Sequence, residues 1–363
     1  MSRGPRLQQW LSALAVAGLL SSTAFSACGG GRAEASFQSD GKPASDGCPY
    51  STKDYANPDE APYEMAHLET PGGGFDYRYF PGSGGPSSPN AGPLVVLVTG
   101  LPEPHYYDAV RTLFLAANYR VLVLDLPGKG HHRLTSRPTA EFVVEQFEKL
   151  WRGNEHEFST ETDFLIVGTS MSGPVTALMA ARWAEQRPKL ALVSALGMER
   201  PWPLAFRMGR VPLLSDLLAP FMLARQVEHR WRTEEILCPQ HFPELFKRQA
   251  REFQGGFARI NYLELGKALV LSDQTPVYSQ AANTSVPVLL LYGDSDPFRD
   301  QIKKISGVIP RAACATIKNA RHIPFIEQPD DTFKILGDFL TTTPSAGAPR
   351  ESSDRRNQPS SCQ

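Results

Sequence analysis

Short runs of Val, Leu, Ile and Ala, separated mostly by stretches with helical spacing, constrain this fold more than any other feature of the sequence. They are Leu94-Val95-Val96-Leu97-Val98, Val121-Leu122-Val123-Leu124, Phe164-Leu165-Ile166-Val167, Leu190-Ala191-Leu192-Val193, Val288-Leu289-Leu290-Leu291-Tyr292 and residues 313–317. Each run is continuously apolar rather than alternating, which is the pattern of strands buried on both faces. Helical stretches are expected around 106–117, 139–151, 172–185, 298–305 and 332–340. Strands joined by helices form a parallel sheet with right-handed crossovers, so the fold class is α/β and doubly wound. Two further strands, 65–70 and 75–80, flank Pro71-Gly72-Gly73-Gly74 as a hairpin ahead of the sheet. The rhythm breaks over 197–284, where Pro201-Trp202-Pro203, a Leu- and Phe-rich stretch (211–223) and a charged helical stretch (242–257) read as a helical insertion.

Function is expected at the carboxyl ends of such strands, because open α/β sheets place their sites there. Directly after Phe164-Leu165-Ile166-Val167 comes Gly168-Thr169-Ser170-Met171-Ser172-Gly173, followed by a helical segment. A serine on a sharp strand-to-helix turn projects its Oγ from the sheet with the next backbone N–H beside it, the geometry of a nucleophile elbow. The alternative is a Ser/Thr-rich turn in which Ser170 only caps the helix. A serine hydroxyl needs a base, and the base needs an orienting acid. Gly293-Asp294-Ser295-Asp296-Pro297 follows one strand and Asn319-Ala320-Arg321-His322-Ile323-Pro324 follows the next. Ser170, Asp296 and His322 are thus candidates in the order serine, acid, histidine. Asp294 and Glu199, just past 192–196, are competing acids, and His131 and His132 lie in a loop that can face the same site.

These motifs together resemble the α/β-hydrolase superfamily, specifically its capped branch with a helical insertion after the sixth strand. The resemblance covers about residues 65–340. It rests on Val98-Thr99-Gly100-Leu101-Pro102 as the oxyanion turn, Asp125-Leu126-Pro127-Gly128-Lys129-Gly130, the Ser170 elbow, the Asp296 turn, and Arg321-His322 followed by Phe325-Ile326-Glu327-Gln328-Pro329. It implies an α/β-hydrolase fold in which a mostly parallel sheet is flanked by helices. The core is then 63–196 and 285–341, interrupted by a cap at 197–284. It also implies that Ser170 attacks a carbonyl carbon, His322 takes its proton, Asp296 orients the imidazole, and backbone N–H groups of Leu101 and Met171 hold the oxyanion. A serine nucleophile sets the chain apart from haloalkane and epoxide members, whose nucleophile is Asp. An ester or acyl compound of small size is the expected substrate, with no cofactor and no metal. Carbon–carbon hydrolases, perhydrolases and peptidases share the triad, and a cell-envelope binding protein without turnover is the reading from another class. Two positions depart from the pattern: Thr99 stands where His-Gly is usual, and Ser172 replaces the second glycine of G-x-S-x-G.

The chain ends carry the remaining signals. Residues 1–27 hold Arg3 and Arg6, no acidic group, the apolar run from Trp10 to Leu20, and then small residues, the order of an export signal. Ala24-Phe25-Ser26-Ala27-Cys28 resembles a bacterial lipobox, which implies lipidation at Cys28 and a protein anchored to the membrane in the cell envelope; secretion after a cut near Ala27 and an uncleaved anchor are the alternatives. Without Arg3 and Arg6 the 37 basic side chains fall to 35 against 38 acidic ones. Such a weakly acidic body carries no nucleic-acid footprint and binds membranes through lipid rather than charge. Residues 28–62, rich in Gly, Ser, Asp and Pro, read as a tether, and 342–363 as a disordered tail. Besides Cys28 there are Cys48, Cys238, Cys314 and Cys362. Cys48 and Cys362, in the two ends, are one candidate pair, but four cysteines allow three pairings and the sequence does not choose. Oligomeric state is left open.

Overall fold

A computed structural model describes residues 48, 64–68, 74–82, 92–100, 104–127, 134, 138–154, 158, 164–199, 229, 231–252 and 256–342. All of them fall within the compact unit Pro43–Gln363; the other unit, Met1–Lys42, lies outside the described residues. The signal segment, Cys28, Leu101, His131, His132 and the 342–363 tail beyond its first residue are likewise outside them.

The strands are β1 (Glu64–Leu68), β2 (Phe75–Phe80), β3 (Leu94–Val98), β4 (Arg120–Leu124), β5 (Phe164–Thr169), β6 (Pro188–Val193), β7 (Val288–Gly293) and β8 (Ala313–Ile317). They form one sheet in the order β1-β2-β4-β3-β5-β6-β7-β8. β1 pairs antiparallel with β2 and β2 with β4, and every other pairing is parallel. From β3 the chain winds first toward β4 and then back across to β5, so the topological switch falls between β3 and β5, where Val98 lies opposite Gly168. That is the position where such sheets open a crevice for ligand.

Both sheet faces are covered, which explains the continuous apolar runs. Alternate residues of β3 go to opposite layers. Leu94, Val96 and Val98 pack with Phe147, Trp151, Val175 and Met179, whereas Val95 and Leu97 pack with Val110, Phe114, Phe325 and Leu336. The first set of partners comes from α2 (Ala140–Gly153) and α3 (Gly173–Arg182), the second from α1 (Asp108–Ala116) and the region after β8. Burying each such side chain contributes roughly 1.5–3 kcal/mol before entropy is counted. α2 starts where Thr139 accepts a hydrogen bond from Phe142 N at 3.2 Å, and its buried Val143, Phe147, Leu150 and Trp151 repeat at helical spacing.

Within the 197–284 stretch the described helices are α4 (Pro243–Glu252), α5 (Gly256–Leu269) and α6 (Thr275–Ala282). α6 packs on α3 and on α7 (Arg299–Val308). After β8 come the short α8 (Pro324–Glu327) and α9 (Pro329–Thr341). α9 begins three residues before the expected 332 because a proline fits the first turn, where no intrahelical N–H bond is lost. At its other end the Lys189 ammonium, on β6, donates to the carbonyls of Leu340 at 2.5 Å and Thr342 at 2.6 Å. A lysine inside an apolar strand is thereby satisfied by a helix C-terminus.

The cysteines correct one expectation. Cys48 pairs with Cys238, not Cys362, with Cα atoms 6.0 Å apart across 190 residues of sequence. Cys314 is also disulfide-bonded. Pairing depends on which Cβ atoms the packed fold brings within bonding reach, and sequence separation does not reveal that. Cys48, the one described residue of the 28–62 span, is buried.

Candidate active site

Ser170 follows β5 directly and opens a 3-10 turn, Ser170–Ser172, that leads into α3. Its φ is +53°. Non-glycine residues rarely adopt this region, and they keep it where the surroundings enforce it, typically at functional sites. The enforcement is visible in close approaches. A Cβ on Gly168 would sit 1.9 Å from Thr176 Oγ1 of α3, and one on Gly100 would sit 1.7 Å from the Thr169 carbonyl oxygen and 3.1 Å from Met171 N. The turn after β3 therefore presses its backbone against the elbow, and only glycine fits at these two contacts.

Ser172 has a defined place in this contact. Its Oγ accepts from Thr169 N at 2.8 Å and donates toward the Val98 carbonyl at 2.8 Å, with the Thr169 carbonyl at 3.0 Å. Tyr107 Oη reaches the same Val98 carbonyl at 2.8 Å and lies 2.6 Å from Thr169 Oγ1, while Gly100 N donates to Tyr106 Oη at 2.8 Å. Burial pushes both tyrosine hydroxyls to higher pKa, so they keep their protons. Thr99 Oγ1 donates to Asp125 at 3.2 Å. Of the two departures from the family pattern, Ser172 is thus built into a buried network joining the end of β3 to the elbow, and Thr99 ties that strand end to the turn after β4. Ser172→Gly, which restores the usual glycine, is expected to lower stability by about 1–3 kcal/mol, because Thr169 N loses its acceptor in a buried site. Chemical denaturation checks this: stability equal to or above wild type would reduce the hydroxyl to a space filler.

Asp296 lies in the turn after β7 and His322 in the turn after β8. His322 Nε2 is 3.0 Å from Ser170 Oγ, and Nδ1 is 3.1 Å and 3.3 Å from the two oxygens of Asp296. All three residues are buried. The Phe298 ring packs edge-on against the imidazole with centroids 4.9 Å apart, and Phe298 N donates to Asp296 Oδ1 at 2.8 Å. Burial pushes the Asp296 carboxyl upward, but the facing His322, its hydrogen bond, the Phe298 N–H and nearby Ser194 outweigh that and hold it below the usual carboxylate range. Ser194, at the end of β6 with φ +49°, is buried and close to this carboxyl, although its Oγ makes no hydrogen bond of normal geometry.

The competing acids are placed elsewhere. Glu199 is exposed and its carbonyl accepts from Lys304, while Asp294 is exposed and accepts from Asn319 N at 3.2 Å. The His322 Nδ1 faces neither of them. Met171 is buried immediately after Ser170, on the side where the Gly100 backbone approaches. Among the described residues no group of His, Cys, Asp and Glu could hold a metal ion, and no helix is long and apolar enough to cross a membrane.

Residues 95–335 match the family model described as Alpha/beta hydrolase family. The chain belongs to the alpha/beta hydrolase family. This hydrolase is 25% identical over 253 residues to monoacylglycerol lipase abhd6-B of Xenopus laevis, a match covering 64% of this chain and 70% of that protein. Among solved structures, its fold is similar to a thermophilic esterase from Thermogutta terrifontis (TM-score 0.59, 21% identity, 76% of this chain and 98% of that one). It is also similar to the enol-lactonase of Burkholderia xenovorans (TM-score 0.61, 20% identity, 76% and 100%). The eight-stranded, mostly parallel sheet flanked by helices is the alpha/beta-hydrolase fold.

Sequence reasoning missed the Tyr106 and Tyr107 hydroxyls and Ser194 in this hydrolase. The tyrosines sit at helical positions that read as core aromatics, and no local pattern marks a hydroxyl as a partner of a strand end four or more residues away. Glu327 was legible only as part of a helix start, though a carboxylate between Phe325-Ile326 and Gln328-Pro329 is a signal in its own right.

Proposed function

We propose that this hydrolase is a serine esterase acting on carboxylic esters of modest size through an acyl-enzyme. The observation that carries the proposal is the 3.0 Å approach of His322 Nε2 to Ser170 Oγ, with the serine at φ +53° and Asp296 on the far side of the imidazole. Ser170 Oγ bonds to the ester carbonyl carbon as its proton passes to His322 Nε2, and the carbonyl electron pair moves onto oxygen. That oxyanion is held by the N–H groups of Met171 and Leu101, with the N-terminus of α3 adding favourable potential. Collapse of the intermediate expels the alcohol, which takes the proton from His322. Water then attacks the acyl-enzyme, gives a proton to His322, and releases the acid as the proton returns to Ser170. Asp296 stays ionised throughout and holds the imidazole tautomer.

Carbon–carbon hydrolases, perhydrolases and peptidases share this machinery. The ester reading is supported by the relatives described as a monoacylglycerol lipase and an esterase. Its test is a panel of p-nitrophenyl esters of varied acyl length together with labelling by an organofluorophosphonate. Turnover of at least one ester and labelling of the wild type are expected; an unlabelled, inert wild type would favour the binding-protein reading.

The proposal extends to the chain ends and the insertion. Residues 1–27 serve as an export signal, Cys28 carries the lipid, the 28–62 span is the tether up to Cys48, where the disulfide pins it to the folded body, and the part of 197–284 ahead of α6, which itself packs on α3 and α7, forms the cap over the cleft. A single acyl chain binds membranes only marginally, so stable anchoring requires two or more. Cys28→Ser is expected to move the protein from the membrane fraction to the soluble fraction on expression in a bacterial host. Unchanged partitioning, read by immunoblot of the fractions, would refute the anchor.

A further inference from the structure

The loop that carries His322 is fastened to a distant strap of chain, residues 231–238, and the fastening runs through one buried carboxylate. Glu327 Oε2 accepts from Arg321 N at 2.8 Å, next to the histidine, while Oε1 accepts from Leu237 N at 2.6 Å. The strap answers in kind. His322 N donates to the Glu235 carbonyl at 3.0 Å, and the Arg321 guanidinium donates to the carbonyls of Thr233 at 2.9 Å and Ile236 at 3.4 Å. One residue further on, Cys238 is covalently tied to Cys48. Glu235, Ile236, Cys238 and Glu327 are all buried.

We propose that Glu327 is a positioning residue for His322, clamping the base-bearing loop to the 231–238 strap that the Cys48–Cys238 disulfide holds in place. This rests on the reading of His322 as the base. A carboxylate in a buried site is costly unless its oxygens are engaged, and both oxygens here are engaged by backbone N–H groups. Burial raises the Glu327 pKa to about 7, opposed by the Leu237 and Arg321 N–H groups and the Arg321 charge and reinforced by Asp296. A fold that retains such a group spends stability on a fixed geometry. The geometry fixed is the backbone of residue 321 relative to the strap, and hence the line from Nε2 to Ser170 Oγ. Glu327 touches no reacting atom; it acts through the loop.

The test compares wild type, Glu327→Ala, Glu327→Gln and the pair Cys48→Ser/Cys238→Ser in full-length protein, on one p-nitrophenyl ester and by the rate of fluorophosphonate labelling at Ser170, each normalised to folded protein by near-UV circular dichroism. Since a misplacement of about 1 Å can cost about 100-fold, Glu327→Ala is expected to lower kcat about 10- to 100-fold with KM within about twofold. Glu327→Gln keeps one acceptor oxygen and is expected to recover part of that loss, a graded response that a merely structural residue would not give. The cysteine pair, which loosens the strap from its other end, is expected to lower kcat several-fold and to slow labelling in proportion. If Glu327→Ala does not fold, Glu327→Gln and the cysteine pair carry the decision. An active wild type whose foldable variants keep kcat within about twofold overturns the clamp alone. A wild type that is neither labelled nor active overturns the esterase reading and the clamp with it.

Discussion

Ser170→Ala is expected to reduce ester turnover about a million-fold and to abolish fluorophosphonate labelling, while leaving a folded protein. The magnitude follows from what the hydroxyl does: without Oγ there is no covalent intermediate, and His322 Nε2 has nothing to deprotonate but water. Some acceleration over the uncatalysed reaction survives such a change, because oxyanion donors and substrate binding remain. The stability effect is expected to be small. Alanine gains nothing at φ +53°, and the loss of one hydrogen bond to His322 costs about 1 kcal/mol. Turnover of the best p-nitrophenyl substrate and the labelling gel read the outcome together. Labelling that persists in the alanine variant would place the nucleophile elsewhere and refute the acyl-enzyme at Ser170.

Asp296→Asn is expected to lower kcat about 10,000-fold with KM little changed. The substitution preserves size and leaves the imidazole in place, but an amide can donate its N–H to Nδ1. That selects the tautomer with the proton on Nε2, the atom that must accept from Ser170. Glu199 offers no substitute, since it is exposed and the imidazole Nδ1 faces Asp296. A kcat within about tenfold of wild type would show that the orienting carboxylate lies elsewhere, and Glu199→Gln would then be the variant to measure. The interaction also has a stability signature. The Asp296 carboxyl titrates below its usual value in the folded state, so its contribution is present above about pH 4, the unfolded value, and is lost as pH falls through the lower folded value. Asp296→Asn removes that pH-dependent part.

Much of the sheet was legible because strands buried on both faces must be apolar at every position, and a run such as Leu94-Val95-Val96-Leu97-Val98 has few other readings in a chain with intervening helical periodicity. The site was legible for a related reason: parallel strands of an open sheet all end on one rim, so short motifs after β5, β7 and β8 are brought together by the topology whatever separates them in sequence. Chain order alone favours Asp296 over Asp294 and Glu199, and what the fold adds is a placement: the His322 Nδ1 faces Asp296. The Ser172 departure could not be judged from the residues alone. Its hydroxyl finds partners on β3, 74 residues earlier in the chain.

The sequence by itself determined the layered α/β architecture, the strand ends that carry Ser170, Asp296 and His322, and the order in which they occur. Those follow from periodicity and from turn chemistry, which are local. Tertiary structure alone decided that Cys48 joins Cys238, that Tyr107 and Ser172 share the Val98 carbonyl, and that Glu327 bridges Arg321 to Leu237. Each of these is a contact between segments far apart in the chain, and its partner is selected by packing distance and by the need of buried polar groups for hydrogen bonds, neither of which is written in any stretch of neighbouring residues.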